Sequence, residues 1–169
     1  MKPATSIIGA AGEHYVMYQL LRRNLIAALA AQGTPDVDIL VTNSDLGTSY
    51  SIQVKTRSGA GDNWPMREKH ETIVSDSLIY CFIDFGKDLD PPSLFIVPSA
   101  IVADVLQRAH RAWLAQPGRG GRPHQDGPGR RLLYDYGALA ADANDMASYR
   151  GRWLEKYRNN WSILGRQSI

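Results

Sequence analysis

The sequence predicts an α/β protein on three observations. Residues 6–25 have helical periodicity, residues 35–56 read as two strands joined by a turn, and two further strand-like runs, 77–85 and 93–97, lead into an amphipathic helix from Ser99. At 169 residues the chain is long enough for one domain with a proper core and short for two. It reads as a single domain over 1–169, with a core at about 6–115, an Arg- and Gly-rich loop at 116–131 and a C-terminal extension at 132–169.

In the first helix Ile8, Gly12, Val16, Leu20 and Arg23 fall near one face, with Ser6 as the expected N-cap and an end near Leu25. Gly9 and Gly12 each weaken a helix by roughly 1 kcal/mol relative to alanine, so close packing against a sheet or an approaching ligand is expected to compensate. Glu13 adjoins Gly12, and its helical neighbours Gly9, Ala10 and Met17 are small or apolar. The stretch 24–31 (NLIAALAA) is helical by propensity alone, and Gln32-Gly33-Thr34-Pro35 ends whatever precedes it.

The segment 35–56 (PDVDILVTNSDLGTSYSIQVKT) is read as a hairpin, with strands at 37–41 and 50–56 and turn chemistry at 43–47. Alternation puts Asp38 and Leu40 on one face of the first strand, and Ser51, Gln53 and Lys55 on one face of the second. If Asn43 faces Thr48, the same register sets Asp38 opposite Gln53, roughly 5 Å apart, with Lys55 one step along. An acid, an amide and a lysine would then meet on one patch. That set suits phosphodiester hydrolysis: a magnesium ion takes hard oxygens from Asp38, the Gln53 side chain, the Val54 carbonyl and Glu13, while Lys55 orients or helps deprotonate the attacking water. With Gln53 in place of a second acid, weaker metal binding is expected.

Residues 57–72 are polar and read as an irregular loop framing an opening, with Arg57 and Lys69 as cations and Trp64 as the tryptophan most open to base stacking. The apolar run 77–85 reads as a strand buried on both faces, and 93–97 as its neighbour beyond Pro91-Pro92. From Ser99, which can cap it, a helix with Val102, Val105, Leu106, Ala109 and Trp113 in one stripe is expected to cover the sheet. Residues 116–131 read as a long exposed loop. With the end of the preceding helix it carries Arg108, Arg111, Arg119, Arg122, Arg130 and Arg131 against Asp126, and is either a solvated, partly disordered loop or a phosphate-contacting surface. Residues 132–136 read as a short edge strand and 148–157 as a closing helix with Trp153, Leu154 and Tyr157 inward.

A net charge of +2 carries no global nucleic-acid signal, so any such signal is local. Cys81, the single cysteine, is expected to be a buried small hydrophobe in a cytoplasmic protein, and no run of about 20 apolar residues predicts a membrane span. A phosphate loop with Lys-Ser or Lys-Thr, a GxSxG elbow, and HExxH or CxxC zinc patterns are all absent. The four histidines are too scattered for metal-ligand spacing and read as surface or capping residues.

Gly9 to Glu13 on a helix, then Asp38-Ile39-Leu40-Val41, then Ile52-Gln53-Val54-Lys55-Thr56, resemble the PD-(D/E)XK nuclease superfamily, and more closely its small bacterial members whose third motif is Gln-x-Lys. Residues 80–84, 95–99, the Trp113-Leu114 helix end and the Arg-rich loop are also similar to that group. The resemblance implies a restriction-endonuclease-like core, a central mixed β-sheet of about four to five strands flanked by helices. It also implies Mg²⁺- or Mn²⁺-dependent cleavage of DNA at Glu13, Asp38, Gln53 and Lys55, and favours a short strand from about Ile26 over a continued helix. The literal Pro-Asp pair is Pro35-Asp36, so Asp36 competes with Asp38; alternation puts both on one face, and Asp38 is favoured because it lies within the apolar strand. DNA contacts are expected from Arg57, Lys69, Arg119, Arg122 and Arg130, and a homodimer suits cleavage of a two-stranded substrate. The alternative is a non-catalytic module that binds nucleic acid or protein on a nuclease scaffold.

Overall fold

The computed structural model describes residues 4–87, 91–139 and 144–165. They divide into two compact units that alternate along the chain. The first holds the described residues up to Gly61, Ser75–Ser99 and those from Tyr157 onward; the second holds those of Asp62–Val74 and Ala100–Lys156.

Helix α1 spans Thr5–Leu21, and its N-cap is Ala4, with no side-chain cap, rather than Ser6. The cap lies two residues earlier than expected because Ile7 and Ile8 both donate to the Ala4 carbonyl, at 3.0 and 3.1 Å. It ends at Leu21 and not near Leu25, since Asn24 turns left-handed at φ 59° and Leu25 folds back to the Leu20 carbonyl at 3.2 Å.

Five strands follow in one mixed sheet: β1 (Ile26–Leu29), β2 (Ile39–Asn43), β3 (Thr48–Arg57), then, after β4 of the second unit, β5 (Leu78–Asp84) and β6 (Ser93–Pro98). The order is β1-β2-β3-β5-β6; β3 pairs antiparallel with β2 and parallel with β5, and the other pairs are antiparallel. The hairpin register is the expected one, with Asn43 opposite Thr48 and Ile39 opposite Ile52. Strand β2 begins at Ile39 rather than Val37, because Asp36 at φ 58° turns the chain just before it. Val16 and Leu20 of α1 pack with Ile39, Val41, Ile52, Val54, Ile79, Cys81, Ile83, Leu94 and Ile96 in one core, which Trp161 and Leu164 complete. Cys81 is fully buried, as expected. The outer edge of β6 is covered: Asn159 donates to the Leu94 carbonyl at 2.9 Å, and Arg158 bridges Phe95.

In the second unit β4 (Asn63–Arg67) pairs antiparallel with β7 (Gly129–Leu133). This corrects two expectations: the irregular stretch 57–72 contains a strand and a 3₁₀ turn at Glu68–Glu71, and the edge strand expected at 132–136 lies three residues earlier. Trp64 is fully buried in β4, so it is a core residue and not a base-stacking platform. Helix α2 runs Ser99–Ala115, and all but its first residue belongs to this unit. The Gly/Arg loop is clipped rather than open: Gly118 donates to the Arg122 carbonyl at 2.7 Å, Pro117 bridges Pro123, His124 stacks on Trp113 at 4.0 Å, and His110 meets Asp126 at 2.7 Å. In place of a closing helix over 148–157 there are 3₁₀ turns at Asn144–Tyr149 and Trp153–Tyr157, split where Gly151 and Arg152 take φ of 64° and 62°.

Candidate active site

Gly12 sets the position of α1 over the sheet. A Cβ built there would lie 2.0 Å from Thr56 Oγ1 and 3.1 Å from Thr56 Cβ, so only glycine permits this approach of α1 to β3, and Glu13 is carried with it. Gly9 has nothing within 4 Å of an added Cβ and plays no such part. The half-buried Glu13 carboxyl has a pKa above its usual value, first through burial and then through the negative charge of Asp38, with His14 opposing.

Asp38 is held from three sides. Its N–H donates to the Ile52 carbonyl at 2.8 Å, its own carbonyl accepts from Ala30 at 2.9 Å, and its carboxylate crosses to β3. There Oδ2 accepts the Val54 N–H at 2.6 Å and Gln53 Nε2 at 3.2 Å, so the ladder that stops at Ile39 is continued by a side chain. The expected meeting of Asp38 and Gln53 is therefore present. Asp36 sits elsewhere in the same region, near enough to Tyr80 for its charge, after burial, to push that phenol's pKa up to about 12.

Gln53 is 7% exposed, and its Oε1 is buried without a hydrogen-bond partner among the described residues. An acceptor left in that state costs about 1–3 kcal/mol, so Oε1 has lone pairs to offer a further group. The Asp38 carboxylate fixes the sense of the amide, because the reverse orientation would face two acceptors together. Lys55, half-buried, follows two residues on along the same face of β3.

The register also brings in residues that motif reading does not select. Tyr80 is opposite Gln53 and Asp84 opposite Arg57 across the parallel β3–β5 pair, so each pair shares a face. The sequence signal for Tyr80 was a phenol inside an otherwise apolar run. Arg57 is engaged by Asp84 at 2.5 Å and by the Gly61 carbonyl. In the second unit Arg130 is buried, pairing with Glu71 and bonding the Gly127 carbonyl at 2.5 Å, whereas Lys69 and Arg122 are exposed. The side chain of Arg119 lies outside the described residues.

The donors gathered at β2–β3 are hard oxygens, of the kind that suit a small divalent cation: two carboxylates that repel one another and one stranded amide oxygen. Among the described residues no three His, Cys, Asp or Glu side chains are grouped to hold a metal, so a metal site here would need amide, carbonyl or water oxygens as well. No helix of the described residues is long and apolar enough to cross a membrane.

No protein-family model and no curated protein matches the sequence. Among solved structures, a bacterial homing endonuclease aligns with TM-score 0.52 at 12% identity, covering 96% of this chain and 92% of its own. A Holliday junction resolvase from the archaeal hyperthermophile Archaeoglobus fulgidus aligns with TM-score 0.43 at 13% identity, over 74% of this chain and 83% of its own. The chain has an α/β, restriction-endonuclease-like core built on a mixed five-stranded sheet.

Proposed function

We propose that this protein is a metal-dependent DNA endonuclease whose site is formed by Glu13, Asp38, Gln53 and Lys55. The observation that carries the reading is the buried Gln53 Oε1 without a partner, beside Asp38 and near a Glu13 whose ionisation is disfavoured first by burial and then by the Asp38 charge. A cation relieves both strains at once. Asp38, Gln53 Oε1, the Val54 carbonyl and Glu13 would hold Mg²⁺ or Mn²⁺, which supplies Lewis acidity toward a phosphoryl oxygen. Lys55 orients the attacking water and steadies charge on the phosphate. DNA as substrate is supported by the fold shared with a bacterial homing endonuclease. Of the cations expected to meet its backbone, Lys69 and Arg122 are exposed, while Arg57 and Arg130 engage carboxylates. Cutting both strands of a duplex suits a homodimer.

The test is cleavage of plasmid and single-stranded DNA in Mg²⁺ or Mn²⁺, together with Mn²⁺ titration of the protein alone. Metal-dependent product that is lost in Lys55→Ala, and Mn²⁺ binding that is lost in Asp38→Asn, are expected. Equal cutting by wild type and Lys55→Ala identifies a contaminant and sinks the proposal.

One observation favours the non-catalytic module: Gln53 Nε2 already donates to Asp38, which quiets that acid without any ion. On that reading DNA binding falls steeply with salt, Mn²⁺ does not bind, and no product appears.

A further inference from the structure

The two edges of the five-stranded sheet are treated differently. That of β6 is covered by Arg158 and Asn159, while β1 is the terminal strand on the other side and has no strand beyond it among the described residues. Exposed edges are usually guarded by lysine, proline or a bulge. Here the stretch 24–32, NLIAALAAQ, holds no charged residue and no proline. Apolar side chains crowd the same margin: Ile26 is 64% exposed, Leu29 44% and, on the adjoining strand opposite Ala28, Leu40 53%.

The free groups of this edge can be assigned. Ala30 donates to the Asp38 carbonyl in the β1–β2 register, so by alternation Ile26, Ala28 and Ala30 turn their N–H and C=O groups toward β2. Ala27 and Leu29 turn theirs outward. We infer that β1 pairs antiparallel with β1 of a second copy of this chain about a two-fold axis through Ala28. Ala27 of each copy then exchanges both backbone hydrogen bonds with Leu29 of the other, and the two sheets become one sheet of twice as many strands.

A second copy is the occupant that this chemistry fits. An antiparallel edge is complementary to itself under a two-fold rotation, and an uncharged margin offers a charged partner strand nothing to pair with. Strand β1 is only four residues long, so the junction is small and the dimer is expected to be a concentration-dependent one. This inference does not depend on the chain cutting DNA.

Sedimentation or light scattering of the full chain across a concentration series tests it. Reversible dimerisation is expected, weakened at least tenfold by Ile26→Lys and unchanged by Leu46→Lys, another exposed apolar site, in the β2–β3 turn, with both variants melting like wild type. A second readout is independent of affinity. Ala28 faces its own copy as a non-hydrogen-bonded pair, with Cα atoms about 4.5 Å apart, within disulfide reach. Ala28→Cys is therefore expected to cross-link under mild oxidation, while the native Cys81 is buried and stays out of the reaction. A chain that remains monomeric at hundreds of micromolar, or a dimer that ignores Ile26→Lys and does not cross-link through position 28, overturns the inference.

Discussion

Replacing Gly12 by alanine adds one methyl group at the place where α1 meets β3. The new Cβ would lie 2.0, 3.1 and 3.2 Å from Oγ1, Cβ and Cγ2 of Thr56, so rotating the threonine does not clear the space, and the helix or the strand must shift. Two terms oppose each other. Alanine for glycine within a helix gains about 1 kcal/mol, and overpacking a close contact costs about 1–3 kcal/mol. The expected net is a loss of up to about 2 kcal/mol, which for a domain of this size lowers the melting temperature by a few degrees. Gly9→Ala, three residues earlier with open space around it, meets only the first term and should stabilise by up to about 1 kcal/mol. Urea and thermal unfolding followed by circular dichroism separate the two signs. Thr56→Ala in the Gly12→Ala background should recover part of the loss, because it removes two of the three crowding atoms. If Gly12→Ala proves as stable as Gly9→Ala, the close approach is not what fixes α1, and the account of how Glu13 is positioned fails with it.

Two further predictions concern charge. Glu13 has a higher pKa in the folded chain than in the unfolded one, so its contribution is fully favourable below the usual carboxyl range and is lost as the pH rises through the folded value. Glu13→Gln should therefore be more stable than wild type at pH 7 by roughly 0.2–1 kcal/mol, the size of a screened charge pair, with the difference closing toward pH 4; a gap that does not change with pH in metal-free unfolding curves would refute it. Arg130→Ala strands Glu71 in a partly buried place and should cost about 3 kcal/mol by denaturant unfolding, whereas the exposed Arg122→Ala should stay within about 0.5 kcal/mol and instead lower the salt slope of DNA binding by about one. Equal stability of these two variants would count against the structural role given to Arg130.

The hairpin and the convergence of Asp38 on Gln53 were legible because both follow from one short-range fact, the Asn43–Thr48 turn, propagated by strict two-residue alternation. What was not legible depended on distant partners. Residues 63–67, NWPMR, carry an asparagine and a proline that argue against a strand, and they form one because residues 129–133 arrive beside them. Proline is tolerated there since each strand of a two-stranded sheet is also an edge. The closing helix failed for a local reason: the spacing of Trp153, Leu154 and Tyr157 is helical, but the backbone turn at Gly151 and Arg152 breaks it. The stranded oxygen of Gln53 belongs to a third kind, visible only when every neighbour can be counted.

The alternation of the two units has a consequence for how the chain is made. Neither unit is continuous: the first needs the residues after Tyr157 to cover β6 and complete its core, and the second needs β7 to arrive at β4, whose partner lies far along the chain. During synthesis the hairpin and α1 emerge early, yet the edge of β6 stays open until residues 158–164 have left the ribosome. Long-range closures of this kind are slow, and the waiting edge is a place where nascent chains can join the wrong neighbour. A tag or fusion placed after the final 3₁₀ turn therefore bears on the step that completes the fold, and solubility of such fusions should follow the rate at which residues 158–164 find β6 rather than the stability of the finished protein.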